Sequence, residues 1–252
     1  MQLRRLKDEI VWRARNWALS QFHLQSDLPS GLHVPVASHG EWIIFQDIFV
    51  CAEYDDAIAA GLASVRGDET LTVLDLGANV GLFTFRLANA ALPAQPRSEF
   101  CVFAVEASPS TCAELSHRVQ SEPALRERVV VRNGLAGERV GHAVLYESAF
   151  RGMSSMTHAA FTRPTPVDYL DLEELLPEGP IHLLKCDIEG SEEATFATYP
   201  ELLRRVRNLV VELHPELCNV PRCRALLHEA GLSQVQVQRE EKSYTVERWQ
   251  RE

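Results

Sequence analysis

Three apolar runs, TVLDLGA (72–78), FCVFAVEA (100–107) and RVVVRNGLAG (128–137), are separated by LFTFRLANAAL (82–92) and SPSTCAELSHRVQ (108–120). The runs read as buried strands and the spacers as crossover helices. Strands joined this way lie parallel, with right-handed crossovers. The chain is therefore expected to be α/β, with a Rossmann-like, mostly parallel sheet. IHLLKCDIEG (181–190) and NLVVELHP (208–215) extend the sheet, with EEATFATYPELLRR (192–205) helical and interrupted near Pro200. AVLYESAF (143–150) reads as a strand, and TPVDYLDLEELL (165–176) starts extended and turns helical. CRALLHEAG (223–231) is a last helix capped by Gly231, and SQVQVQREEKSYTVERW (233–249) is a terminal antiparallel hairpin. Ser108 is placed to cap the 108–120 helix, with Pro109 at its first position.

The start of the chain is less regular. Leu3, Leu6, Ile10, Ala14 and Trp17 recur at helical spacing, so residues 3–22 are expected to form an amphipathic helix. It is read as packed on the domain, with a contact to a second copy, a substrate cap or a membrane surface as alternatives. EWIIFQDIFV (41–50) reads as a strand or hairpin, and residues 53–65 as helix. Acidic residues outnumber basic ones by 35 to 25, so the protein's field repels a nucleic-acid backbone. The six cysteines form no CxxC pair. There is neither a secretory segment nor a run of membrane-spanning length. A reduced, cytoplasmic protein without membrane insertion is expected.

Asp75-Leu-Gly77-Ala-Asn79-Val-Gly81 follows the first strand. The glycines permit close backbone approach, but Asn79 stands where a dinucleotide fingerprint has its middle glycine. The acid at Asp75 disfavours phosphate and suits an amine-bearing ligand. Glu106 ends the second strand, where a carboxylate accepts from ribose hydroxyls or caps the helix that follows. Asn133 ends the third, beside the expected adenine edge. A nucleoside with an amino-acid-like tail fits this set, and S-adenosylmethionine fits it best.

Lys185-Cys-Asp187-Ile-Glu189-Gly190 ends a later strand and opens on the same crevice. Asp187 and Glu189, two apart in an extended stretch, share a side, as do Lys185 and Asp187, which are expected to pair or to serve the site. Glu189 reads as a general base or a group that orients a hydroxyl. His214 closes the next strand as a proton acceptor or as a histidine held by hydrogen bonds. Ser154 and Ser155 read as substrate contacts or as loop hydrogen-bonding groups. No third oxygen completes a magnesium shell with Asp187 and Glu189, so the metal assignment is left open and no absolute cation requirement is expected.

Taken together, Glu53, LDLGANVGLFTF (74–85), FAVEASP (103–109), Ser154-Ser155, TPVDYLDL (165–172) and LLKCDIEGSEEATF (183–196) resemble the FkbM-family methyltransferases. The resemblance spans about residues 53–215 and implies a class I S-adenosylmethionine-dependent fold. It implies cofactor contacts near Asp75, Gly77, Asn79, Gly81 and Glu106, with Asp187 also at the cofactor. It places Asp187 and Glu189 at the functional strand end. The implied reaction is methyl transfer, commonly to oxygen, on a small molecule or sugar-containing specialised metabolite. Nitrogen methylation and an inactive cofactor-binding scaffold are the alternatives. The expected organisation is an extension at 1–50, for substrate access or contact with a second copy, and a catalytic domain at 51–252. Asp187, Glu189 and His214 are the expected catalytic residues, with Lys185, Ser154 and Ser155 on the acceptor.

Overall fold

The computed structural model describes residues 11, 15, 17, 19, 21–22, 24–94, 99–148 and 162–251. In chain order the elements are β1 (Leu24–Asp27), β2 (His33–Val36), α1 (His39–Phe45), α2 (Asp55–Ala63), β3 (Leu71–Leu76), α3 (Leu82–Ala94), β4 (Phe100–Glu106), α4 (Pro109–Ser121) and β5 (Val129–Asn133). They continue as β6 (His142–Ser148), β7 (Thr162–Asp168), α5 (Leu172–Leu175), β8 (Leu183–Cys186), α6 (Glu192–Thr198), α7 (Pro200–Arg205), β9 (Asn208–Leu213), α8 (Val220–Glu229), β10 (Leu232–Glu240) and β11 (Thr245–Arg251).

The main sheet has the order β10-β11-β9-β8-β3-β4-β5. Strands β9, β8, β3, β4 and β5 are parallel, and β11 and β10 add antiparallel at one edge. The expected α/β class, parallel sheet and terminal hairpin are all present. Period-two alternation divides the core between the two faces. Leu71, Val73, Val102, Ala104, Leu183 and Val210 pack with α2, α3 and α4. Leu74, Leu76, Phe103, Val105, Leu184, Leu209 and Val211 pack with α6, α7 and α8. Leu32, Val34 and Ile48 are buried in the first of these layers, so this part of the N-terminal segment shares the sheet's core.

One expected element is different. EWIIFQDIFV is helical: α1 runs straight into a π-helical turn at Gln46–Val50. Ser38 caps α1 by accepting from the Glu41 amide, and Trp42, Phe45 and Phe49 stack in sequence along one side. The capping bond and this side-chain stacking outweigh the strand propensity of an isoleucine- and phenylalanine-rich run. Of the predicted 3–22 helix, Val11, Arg15, Trp17 and Leu19 are helical, and the rest lies outside the described residues. No helix among the described residues is long and apolar enough to cross a membrane.

Candidate active site

The sheet's faces alternate up to its carboxyl edge, and there polar residues replace apolar ones. Asp75, Glu106, Lys185 and Glu212 continue the series Leu71-Val73, Val102-Ala104, Leu183 and Val210 on one face. Asp75 and Lys185 are register partners across β3 and β8. The Lys185 ammonium lies 3.6 Å from Asp75 Oδ1 and donates to the carbonyls of Leu76 and Gly77 at 3.2 and 2.7 Å. Asp75 Oδ2 accepts from the Thr84 hydroxyl at 2.9 Å. Asp75 is completely buried and sits beneath the loop instead of facing a cavity. Burial pushes its carboxyl upward against the pull of Lys185. Burial also works against the Lys185 ammonium, but Asp187 and Asp75 outweigh it and hold its pKa above the ordinary value.

The loop above is fixed by its backbone. Gly77 has φ +74°, and a β-carbon there would fall 1.7 Å from the Asp187 carbonyl oxygen. Gly81 has φ +91° and abuts Leu115. Asn79, at φ 50°, is left-handed too, and its side chain accepts from the Val80 amide at 2.8 Å. Glu106 holds this loop by accepting from the Asn79 amide, and reaches the start of α4 by accepting from the Ser108 amide, both at 2.8 Å. Burial raises the Glu106 carboxyl despite those bonds. Asn133 donates to the carbonyls of Glu106 and Ala107, each at 2.9 Å, and so ties two strand ends together. Gly134, Leu135 and Ala136, directly after it, line the cavity.

Two cavities of about 760 and 800 Å3, measured out to open solvent, meet over this edge. The first is bounded by Glu106, Ala107, Gly134 and Leu135, and no lysine or arginine lines it among the described residues. The second is bounded by Asp47, Glu53, Tyr54, Phe83, Lys185, Glu212 and Tyr244. Gly77, Asn79, Asp187 and Glu189 line both. Asp187 and Glu189 share this position through a turn and not through strand alternation, because β8 stops at Cys186 and Glu189 has φ 51°. The expected pairing of Lys185 with Asp187 is present at 3.7 Å. Glu192, fully buried, accepts from the amides of Ile188 and Gly190 and anchors that turn.

His214 Nε2 lies 3.2 Å from Glu212 Oε1 and 3.8 Å from Glu189 Oε2. Burial disfavours its cation, but these carboxylates prevail and lift its pKa to about 9. Glu189 is raised to about 7 by burial and by Asp187. Glu212 is also raised, chiefly by burial. Asp187, Glu212 and His214 each present a ligand atom, all within 4.8 Å of one another. Sequence reasoning noted Glu212 two residues before His214 but gave no role to it or to Glu53, Tyr54, Asp47 or Tyr244. The one available signal was that Glu212 and His214, two apart, share a strand side. Ser154 and Ser155 lie outside the described residues.

An acid at the end of β4 and a glycine turn pressed against backbone suit ribose hydroxyls. Asp187 and Glu189 in the same lining suit a cationic group. A nucleoside with a cationic tail therefore fits the residues present.

Residues 75–234 match the family model described as the methyltransferase FkbM domain. No curated protein matches the chain. Among solved structures, methyltransferase FkbM from Methylobacillus flagellatus is similar with a TM-score of 0.51 at 14% identity. That likeness covers 74% of this chain but 45% of the other, so the chain spans less than half the length of that relative. The CcbJ methyltransferase from Streptomyces caelestis gives a TM-score of 0.46 at 12% identity, over 79% of this chain and 96% of that one. At 14% identity the first of these likenesses is one of fold alone.

Proposed function

The chain belongs to the FkbM methyltransferase domain family, and on that premise we propose that it transfers a methyl group from S-adenosylmethionine to a hydroxyl oxygen of a small-molecule acceptor. The donor, when bound, supplies an electrophilic methyl group. Glu106 accepts from its ribose hydroxyls, and Gly77, Asn79 and Gly81 shape the loop against which it lies. Gly134 to Ala136 border the base. Asp75 acts at one remove, holding Lys185 and Thr84 under the loop.

The second cavity takes the acceptor, a sugar-containing or similar specialised metabolite. In-line transfer needs the oxygen held against the methyl carbon, so most of the work is positioning. The observation that carries the reading is the place of Asp187 and Glu189, which border both cavities where donor and acceptor meet. A hydroxyl must lose its proton as it attacks, and an amine acceptor has less need of a neighbouring base. Glu189 or Asp187 takes that proton, and His214, held against Glu189 and Glu212, positions the Glu189 carboxylate. Lys185 keeps Asp187 oriented.

Labelled S-adenosylmethionine offered with matched hydroxyl and amine acceptors tests this. Label in an ether is expected. Asp187→Asn should slow single-turnover transfer by about a hundredfold or more, while its affinity for S-adenosylhomocysteine changes far less. Label on nitrogen, or parental transfer by Asp187→Asn at saturating donor, overturns the oxygen reading or the assignment of Asp187.

A further inference from the structure

We propose that Asp187, Glu212 and His214 form a binding site for one divalent transition-metal ion at the edge of the second cavity, which Asp187 and Glu212 line. Asp187 comes from the turn after β8, whereas Glu212 and His214 come from the end of β9, and β8 and β9 are adjacent in the sheet. Their ligand atoms lie within 4.8 Å of one another, a spacing that three donors around one ion can close with small side-chain rotations. His214 Nε2 and Glu212 Oε1 are already 3.2 Å apart. One imidazole and two carboxylates leave positions open for water or an acceptor hydroxyl. The imidazole favours manganese or zinc over magnesium or calcium, which prefer all-oxygen shells.

The balance of charge around the cavity points the same way. Asp187, Glu189, Glu212 and Glu53 converge on it, and Lys185, which lines it among the described residues, is shared between the Leu76 and Gly77 carbonyls, Asp75 at 3.6 Å and Asp187 at 3.7 Å. The Glu53 side chain is only 9% exposed. Arg239 lies 3.6 Å from its Oε2, while its buried Oε1 has no hydrogen-bond partner among the described residues. Buried carboxylates are costly unless matched, and here Asp47, Glu53, Asp187, Glu189 and Glu212 outnumber Lys185, Arg239 and His214, so an ion between Asp187 and Glu212 adds positive charge where it is short. A hydroxyl bound to that ion would lose its proton more readily, and with Asp187 and His214 held as ligands the base beside it would be Glu189. The chemical use of the ion rests on the methyl-transfer reading, but its binding does not.

Titration of the chelator-stripped, tag-free full chain with Mn2+, followed by the free-ion electron paramagnetic resonance signal, tests the site. One ion per chain is expected. Binding should weaken at least about tenfold in His214→Ala and in Glu212→Gln and stay parental in the surface variant Glu229→Gln, with circular dichroism confirming that each is folded. Absence of saturable binding by the folded parent overturns the proposal, as does binding that both site variants retain. S-adenosylhomocysteine calorimetry on the same samples keeps the two readings apart. Cofactor binding without Mn2+ binding removes only the metal site, and Mn2+ binding without cofactor binding removes only the methyl-transfer reading.

Discussion

A β-carbon at position 77 would overlap the Asp187 carbonyl oxygen at 1.7 Å, and the neighbouring backbone has no flexible side chain to move aside. The φ of +74° adds a conformational cost for any L-residue. Gly77 thus has two functions: it opens the turn, and it lets β3's loop touch the acidic turn after β8. Gly77→Ala is expected to destabilise the fold by about 2 kcal/mol or more and to weaken S-adenosylhomocysteine binding. Thermal melts paired with calorimetry would measure both, and a stable variant with parental affinity would show that the close contact is not required. Glu106 likewise carries two tasks, since both of its oxygens accept backbone amides before any ligand arrives.

At the scale of elements, the position of α1 depends on an ion pair reaching across to α4. Arg118 donates to Glu41 Oε2 at 2.9 Å, with side chains 3% and 1% exposed, and also to Glu114 at 2.8 Å and the Pro35 carbonyl at 3.2 Å. Glu41 in turn accepts from the Ala37 amide at 2.9 Å. This network joins β2, α1 and α4, and α1 leads into Asp47 and Ile48, which line the second cavity. Removing one partner of a buried pair strands the other's charge, so Arg118→Met should cost about 3–5 kcal/mol. Urea denaturation would read this as a lower midpoint, and a change under about 1 kcal/mol would mean that the pair is dispensable.

Across the whole molecule the two edges of the sheet have different tasks. The carboxyl edge gathers the site, and the amino edge carries a structural cluster. There Glu69 binds Arg207 through both oxygens at 2.6 and 2.7 Å and meets His182 Nε2 at 3.1 Å, while His182 Nδ1 accepts from the Thr72 amide at 3.1 Å. The Arg207 bond, with help from the Arg66 amide and His182, holds the Glu69 carboxyl well below the usual carboxylate range. A carboxyl with a depressed folded pKa adds stability above its unfolded pKa and loses it as pH falls toward the folded value. The stability gap between the parent and Glu69→Gln should therefore be full at neutral pH and shrink between about pH 5 and pH 2. Melting curves across that range would check it, and a gap constant with pH would contradict the ionic account.

The strands and crossover helices were legible in the sequence, because periodicity and caps such as Ser108 act over a few residues. So were the glycine loop, Glu106 at the end of β4 and the acidic stretch after β8, because a parallel sheet sends every strand's carboxyl end to one edge. The run at 41–50 reads as strand from its isoleucine and phenylalanine content, although its Ser38 cap and aromatic stack are local; only the burial of Glu41 against Arg118 depends on α4. The set of partners was not legible. Asp75 faces Lys185, and Asp187 meets Glu212 and His214, only because β9, β8 and β3 are neighbours in that order. Strand order is set by the packing of whole layers, and no local pattern in the chain encodes it.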